Sequence, residues 1–255
     1  MKLVSFYISK YINSREFVLL TLFAINIGCK RDVLTPTFNC GTSIVSDVDG
    51  NNYNTIQIGN QCWFQSNLKV SKYLNGDSIP TGLSNSDWGN IAIGAISIYN
   101  NEPLNDSIFG KLYNHYTITD VRGLCPTGWH IPSDGEWNNL VKFLDQNADT
   151  ACVPCIQSST AGGALKSKLS QPAIGGWVTS PFSGSTNITG FSALAGGVRN
   201  VNGTYEHVHR ASMIWSKDVF ENVAARGRIL QFEAGTLLRG SNPRKAGFSV
   251  RCLKD

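Results

Sequence analysis

The sequence predicts an α+β fold, in which one or two helices pack on twisted antiparallel strands joined by long loops. Three observations predict it: a strand–turn–strand pattern in residues 44–58, a capped amphipathic helix in residues 133–144, and strand-and-turn sequence from Gly175 onward. The composition agrees, because 16% charged residues and 25 glycines are typical of a loop-rich protein rather than a helical one.

The first strands are expected to form a hairpin. Residues 44–47 and 53–58 are suited to strands, and Asp49-Gly50 between them is a strong turn signal. Glycine, proline and asparagine punctuate residues 71–110, which we predict to be mostly loop. Residues 111–119 alternate enough to predict a further strand.

The middle of the chain carries the clearest helix signal. Ser133 can cap the helix, and Glu136 stands three residues later, which is the capping-box arrangement. From Trp137 to Leu144, apolar residues recur at helical spacing on one face, so we predict a core helix. Residues 161–169 are a second possible short helix.

The N terminus has the three parts of an export signal. Basic residues up to Arg15 precede an apolar run over residues 17–27, which is too short to cross a bilayer as a helix. A small residue then stands directly before Cys29, which resembles the lipobox of bacterial lipoproteins. We therefore expect a lipoprotein signal peptide over residues 1–28, lipidation of Cys29, and a tether over residues 29–39. An ordinary cleaved signal and an uncleaved anchor are the alternatives.

The charge balance does not indicate nucleic acid as a partner. Residues 1–28 hold three basic residues and one acidic residue, so the rest of the chain has a net charge of +2, against +4 for the whole chain. With the export signal, this predicts a cell-envelope protein at the outer membrane or cell surface. Its partners would be the lipid bilayer, through acylated Cys29, and a polysaccharide or surface protein.

The cysteine count agrees with export. Six cysteines follow Cys29, and an even number in an oxidising compartment predicts disulfides, although six allow many pairings. We predict Cys40–Cys62, Cys125–Cys252 and Cys152–Cys155. The last pair is a Cys-x-x-Cys, for which free or metal-bound thiols and redox exchange are alternatives to a structural staple.

The other motifs predict no catalytic residue, metal site or cofactor. His207 and His209 share one side of a strand, but zinc needs a third ligand, so we interpret them as solvated strand residues. Residues 47–51 have calcium-loop spacing without the later glutamate and are interpreted as a hairpin turn. Among the aromatic residues, Trp88 and Tyr99 in the long loop are the candidates for an exposed ligand-binding surface.

Several stretches in a fixed order carry a family resemblance. They include residues 53–63 (YNTIQIGNQCW), residues 124–133 (LCPTGWHIPS) followed by Glu136-Trp137, and residues 249–252 (SVRC). Together they resemble the Fibrobacter succinogenes major paralogous domain (FISUMP), and the resemblance covers residues 40–255. That family occurs in exported proteins and lipoproteins, and its function is not established.

The chain also resembles the C-type-lectin-like superfamily, which includes formylglycine-generating domains. The shared features are a proline-led helix with an internal tryptophan at residues 131–137 and a terminal aromatic-x-x-Arg strand at residues 248–251. The resemblance implies a C-type-lectin-like fold with paired terminal strands, which a Cys125–Cys252 bridge fits. It does not carry over oxidase chemistry, because the last hundred residues hold only Cys252 and not a copper-binding pair. The sugar-binding calcium triplets of C-type lectins are also missing.

These observations predict a non-catalytic binding module for carbohydrate or protein. Its binding surface would be formed by the loops at residues 71–110 and 178–190. One alternative is a structural envelope component without a small ligand. Another is an enzyme with an unrecognised site, which a cleft containing a carboxylate or histidine with a strongly shifted pKa would favour.

Overall fold

Short apolar segments separated by turns give this chain many short strands and few helical residues. The computed structural model describes residues 37–255, of which Phe38–Asp255 form one compact unit. The strands are β1 (Ile44–Ser46), β2 (Asn52–Ile58), β3 (Gln61–Phe64), β4 (Ile96–Ser97), β5 (Leu112–Asn114), β6 (Trp129–His130), β7 (Cys155–Ser158), β8 (Gly196–Arg199), β9 (Tyr205–Val208), β10 (Ala211–Phe220), β11 (Ala224–Gln231), β12 (Leu237–Pro243), β13 (Gly247–Phe248) and β14 (Leu253–Lys254). The helices are α1 (Asn85–Asn90), α2 (Pro103–Phe109), α3 (His115–Ile118), α4 (Asp134–Leu144) and α5 (Ala161–Leu165), with a 3-10 turn at Tyr99–Asn101.

The strands form two sheets. The smaller sheet has the order β1-β2-β3-β14-β6, so the last strand of the chain lies beside one of the first. The larger sheet has the order β4-β5-β13-β8-β10-β11-β12-β7, and β9 also pairs with β8. The predicted hairpin is confirmed, with Val45 opposite Tyr53. The expectation of antiparallel strands needs one correction, because β8 and β10 pair in parallel at Gly197 and Ser212.

Helix α4 forms where its capping signal predicts it. Ser133 Oγ accepts a hydrogen bond from the Glu136 backbone N–H at 3.2 Å, and the Ser133 N–H donates to Glu136 Oε2 at 2.7 Å. These two bonds satisfy donors that the first helical turn would otherwise leave unpaired. Trp137, Leu140 and Val141 are buried on the inward face, as predicted.

Local caps explain where the predicted elements differ from the observed ones. The strand expected over residues 111–119 ends at Asn114, because Asn114 Oδ1 accepts from the Thr117 N–H at 3.1 Å and starts α3. Within the predicted loop of residues 71–110, Ser84 caps α1 and Pro103 begins α2. The helix expected over residues 161–169 ends at Leu165.

The apolar core has two parts. We name the first the disulfide cluster; it is built around Tyr53, Phe64, Trp215 and Phe248 and includes the Cys125–Cys252 bridge. We name the second the helix cluster; it lies on α4 and α5 and includes Trp63, Trp137, Leu165, Phe191 and Leu230.

The expectations for the N terminus concern residues outside this description. The signal peptide of residues 1–28, the lipidation site Cys29 and the tether as far as residue 36 lie outside the described residues. No helix within residues 37–255 has the length and hydropathy needed to span a membrane.

Candidate functional site

The six cysteines of residues 37–255 are joined in the three expected pairs. The Cα atoms are 5.9 Å apart in Cys40–Cys62, 5.9 Å in Cys125–Cys252 and 5.8 Å in Cys152–Cys155. Arg239 fastens the Cys152–Cys155 loop by donating to the carbonyl oxygens of Thr150 and Cys152 at 2.9 and 3.0 Å. In this oxidised form the two cysteines of the Cys-x-x-Cys motif are paired within one loop.

The prediction that Trp88 and Tyr99 form an exposed binding surface is wrong. Their side chains are 0% and 6% exposed. Helix α1 turns Trp88 inward, where the Arg199 guanidinium lies 4.3 Å from the centre of its ring. Tyr99 packs on Tyr205, with ring centres 5.3 Å apart. Arg199 is itself buried and donates to the carbonyl oxygens of Leu83 and Gly203. It also lies over the Tyr205 ring, so the same arginine packs on Trp88 and on the partner of Tyr99.

The two polar motifs have structural partners. The Asp47 carboxylate accepts from the Asn51 N–H at 2.9 Å and from the Tyr53 hydroxyl at 2.6 Å, as a hairpin turn requires. His209 Nδ1 lies 2.8 Å from the Gly176 carbonyl oxygen, whereas His207 is exposed. Across residues 37–255, no group of three or more histidine, cysteine, aspartate or glutamate side chains is placed to hold a metal ion.

One histidine has two carboxylate neighbours. His130 Nδ1 lies 2.6 Å from Asp255 Oδ1, and His130 Nε2 lies 2.9 Å from Glu136 Oε1. Glu136 is in turn held by Ser133 in the α4 capping box. Both ring nitrogens of His130 thus have a carboxylate partner within the described chain.

A candidate binding site is a cavity of about 380 Å³, within the common range of about 300–1,000 Å³ for small-molecule sites. Both predicted loop regions reach it, since Ile108 comes from residues 71–110 and Asn187 from residues 178–190. We name it the Arg251 cavity. Its lining residues are Gln65, Ser66, Asn67, Ile108, Ser167, Lys168, Leu169, Asn187, Ser192, Leu194 and Arg251.

Arg251 is a buried cation in this lining. Its side chain is in a residue only 1% exposed, and its guanidinium lies 4.0 Å from the Phe191 ring centre. Nε donates to Asn67 Oδ1 at 3.0 Å, Nη2 donates to the Ser192 carbonyl at 3.2 Å, and Nη1 donates to the Phe191 carbonyl. Burial lowers the pKa of Arg251 to about 9, so the group is still charged at neutral pH. The ion pairs of residues 37–255 do not include it.

The loop beside Arg251 is held in one conformation. The Ser192 N–H donates to Asn187 Oδ1 and Asn187 Nδ2 donates to Ser192 Oγ, each at 2.9 Å. Both residues adopt positive φ, 47° and 55° respectively for Asn187 and Ser192, which costs free energy for a residue with a Cβ atom. Gln65 Nε2 also donates to the Gly190 carbonyl at 2.9 Å. This side of the cavity is therefore preorganised.

The other polar groups of the lining differ in their hydrogen bonding. Ser167 is 3% exposed, and its Oγ has no hydrogen-bond partner within residues 37–255. Lys168 is exposed. Asn67 Nδ2 donates to the Phe109 carbonyl at 2.8 Å and to Ser249 Oγ at 3.1 Å, so both of its N–H groups are used. Among the described lining residues there is no carboxylate, imidazole or thiol, so the cavity combines amides, hydroxyls and cations with the aliphatic side chains of Ile108, Leu169 and Leu194.

A second buried cation fastens the predicted loop of residues 178–190. Lys166 Nζ donates to the carbonyl oxygens of Ser183, Gln231 and Ala234 at 2.5, 2.8 and 2.7 Å. Burial lowers the pKa of Lys166 to about 8. The ammonium thus joins this loop to the end of β11 and to the segment after it.

Most of the cavity lining was missed by sequence reasoning. The lining comes from separate segments near residues 65–67, 108, 167–169, 187–194 and 251, which no local pattern connects. One signal was available, because Arg251 is the lone cation of residues 248–252, for which a strand was expected; the structure places it instead between β13 and β14. A buried cation needs polar partners, and the partners of Arg251 include the cavity residues Asn67 and Ser192.

Comparison with known proteins agrees with the resemblance carried by the motifs. The family model described as the Fibrobacter succinogenes major domain matches residues 56–254, which is most of the chain. No curated protein and no solved structure gives a match. Arg251 and the other lining residues all lie inside the matched range. The chain therefore belongs to the Fibrobacter succinogenes major domain family.

Proposed function

We propose that this chain is a non-catalytic binding module that takes a carbohydrate in the Arg251 cavity. The observation that carries the proposal is the composition of the lining. Amides and hydroxyls can exchange hydrogen bonds with sugar hydroxyls, while Ile108, Leu169 and Leu194 can contact the C–H faces of a sugar ring. The fixed positions of Asn187 and Ser192 reduce the entropy lost on binding.

A binding role is favoured over catalysis by the chemistry of the lining. General acid–base catalysis needs a titratable group within reach of the ligand. The carboxylate, imidazole and thiol groups that usually serve are missing from the described lining residues. A structural envelope component without a ligand is the competing proposal.

The proposal also includes a C-type-lectin-like fold and a lipid anchor. The pairing of β14 with β3 supports the fold, as does the Cys125–Cys252 bridge that joins the middle of the chain to the segment before β14. The apolar run before Cys29 supports export to the cell envelope and anchoring at the outer membrane or cell surface. We expect a Cys29→Ser variant to lose incorporation of a labelled fatty acid, and unchanged labelling would contradict the anchor.

A glycan array probed with the full-length chain tests the binding role. Ile108→Trp should abolish binding, because the indole fills the cavity. Leu104→Trp is the matched control, since Leu104 lies in the same helix, is 69% exposed and does not line the cavity. Binding by the wild type and Leu104→Trp but not by Ile108→Trp supports the proposal. No glycan bound by a folded wild type, or equal loss in both variants, contradicts it.

A further inference from the structure

We propose that the carbohydrate bound in the Arg251 cavity is an acidic sugar, whose carboxylate is held by Arg251, Ser167 and Lys168. This inference rests on the proposed binding function and names the class of ligand. It depends on three features of the cavity: its charge, an unused hydroxyl, and an unused guanidinium N–H.

The charged residues that line the cavity in the described chain are all cations. Arg251 and Lys168 both line it, and no acidic side chain of the described chain does. Arg251 donates its hydrogen bonds to neutral acceptors, namely the Asn67 side chain and backbone carbonyls, so its charge has no counter-ion. A buried cation without a counter-ion favours an anionic ligand group, because their attraction is screened less than in water.

Two hydrogen-bond donors remain for that anion. A guanidinium has five N–H groups, and the bonds of Arg251 to Asn67, Phe64, Phe191 and Ser192 use four of them. The unused N–H is on Nη2, the nitrogen that bonds half-buried Ser192. The buried hydroxyl of Ser167 is the second donor, since it has no partner within residues 37–255. A carboxylate accepts such bonds in a charge-assisted form, which is stronger than the neutral form.

The rest of the lining argues for a sugar acid rather than a small inorganic anion. The cavity of about 380 Å³ is far larger than the ~30 Å³ of a water-sized group. If only a phosphate or sulfate were bound, much of the lining would have no ligand atom to contact. The residues left without a contact would be Asn187, Ser192, Ile108 and Leu194. A ring with both hydroxyls and C–H faces contacts all of them.

Isothermal titration of the full-length chain with a hexuronate disaccharide tests this inference. The methyl ester of the same disaccharide removes the charge and keeps the ring. We expect the ester to bind at least about tenfold more weakly. Binding of the acid should also weaken as salt is raised, because Lys168 is exposed to screening.

Two matched pairs of variants locate the carboxylate. Ser167→Ala should weaken binding of the acid by about tenfold, whereas Ser212→Ala, which removes another buried and unpartnered hydroxyl outside the cavity, should not. Lys168→Gln should weaken it by about threefold, whereas Lys142→Gln, at an exposed lysine on α4, should not.

The outcomes separate this inference from the proposed function. Tight binding of the acid with the expected loss in Ser167→Ala supports the inference. If the ester binds as tightly as the acid, and Ile108→Trp abolishes both, the cavity binds sugar but the acidic class is wrong. Equal competition by inorganic phosphate also overturns the acidic-sugar assignment. If no saccharide binds a folded wild type, the proposed function itself fails.

Discussion

The two parts of the core are held together by different means. The disulfide cluster includes Cys62, Cys125 and Cys252. One covalent bond joins β3 to the segment before β1, and another joins the middle of the chain to the segment before β14. The helix cluster has no cysteine among its described members, and the loops around it are fastened by buried cations. Lys166 and Arg251 donate to backbone carbonyls of those loops.

This difference bears on where a ligand can bind. A disulfide fixes two segments without leaving charge behind. A buried cation that bonds only neutral carbonyls also orders its loops, but it leaves a positive potential in the nearby cavity. Arg228 and Arg239 show the contrast, because both bond the Asp134 carboxylate, which offsets part of their charge. No carboxylate bonds Arg251 in the described residues.

The largest expected effect comes from opening the disulfide cluster. Replacing both Cys125 and Cys252 by alanine releases a loop of 127 residues, so the free energy of unfolding should fall by about 5 kcal/mol. The matched control is the Cys152→Ala/Cys155→Ala pair, which releases only 3 residues and should cost about 1–2 kcal/mol. Urea unfolding measures both. Equal losses would contradict a special role for the longer bridge.

Replacing a buried lysine that holds a loop should lower the free energy of unfolding by a smaller but measurable amount. Lys166→Met leaves three part-buried carbonyls without this donor, and a fully buried unsatisfied group costs about 1–3 kcal/mol. We expect a loss of about 3 kcal/mol, after partial relaxation of the loop. Lys168→Met, two residues away and exposed, should change stability by less than about 0.5 kcal/mol. If the two variants are equally stable, the hydrogen bonds of Lys166 do not stabilise the loop of residues 178–190.

Acid should act on the disulfide cluster through His115. This residue is 0% exposed and packs edge-on against Trp215, and burial lowers its pKa to about 4. The ordinary pKa of about 6.5 applies to the unfolded chain. Between these values the unfolded state binds a proton that the folded state does not, so stability falls as pH is lowered from about 6.5 to 4.

The pH prediction is checked by urea unfolding of the wild type and His115→Gln at about pH 7 and pH 4.5. The wild type should lose about 2–3 kcal/mol more than the variant over this interval, since one pKa unit corresponds to about 1.4 kcal/mol. His207→Gln, at an exposed histidine, should follow the wild type. The same acid slope in His115→Gln as in the wild type would exclude His115 as the source.

Local chemistry made part of the fold predictable. The Asp49-Gly50 hairpin and the Ser133 capping box depend on neighbouring residues, and both form as predicted. The burial of Trp88 depends on Arg199, and the cavity depends on Asn67 meeting Arg251 across most of the chain. Such contacts are set by tertiary packing, which no local pattern encodes. The end of β5 at Asn114 is an intermediate case. Its asparagine cap is a local signal for the start of α3, but the alternating pattern of residues 111–119 favoured a continuous strand instead.

The most direct test of the account is hydrogen exchange of the full-length chain with and without the glycan that binds best on the array. We expect slower exchange on binding in residues 65–68, 166–169 and 187–194, which line or adjoin the Arg251 cavity. Residues 85–101, which hold buried Trp88 and Tyr99, should be unchanged. Protection confined to residues 85–101, with none around Arg251, would contradict the central claim that this cavity is the binding site.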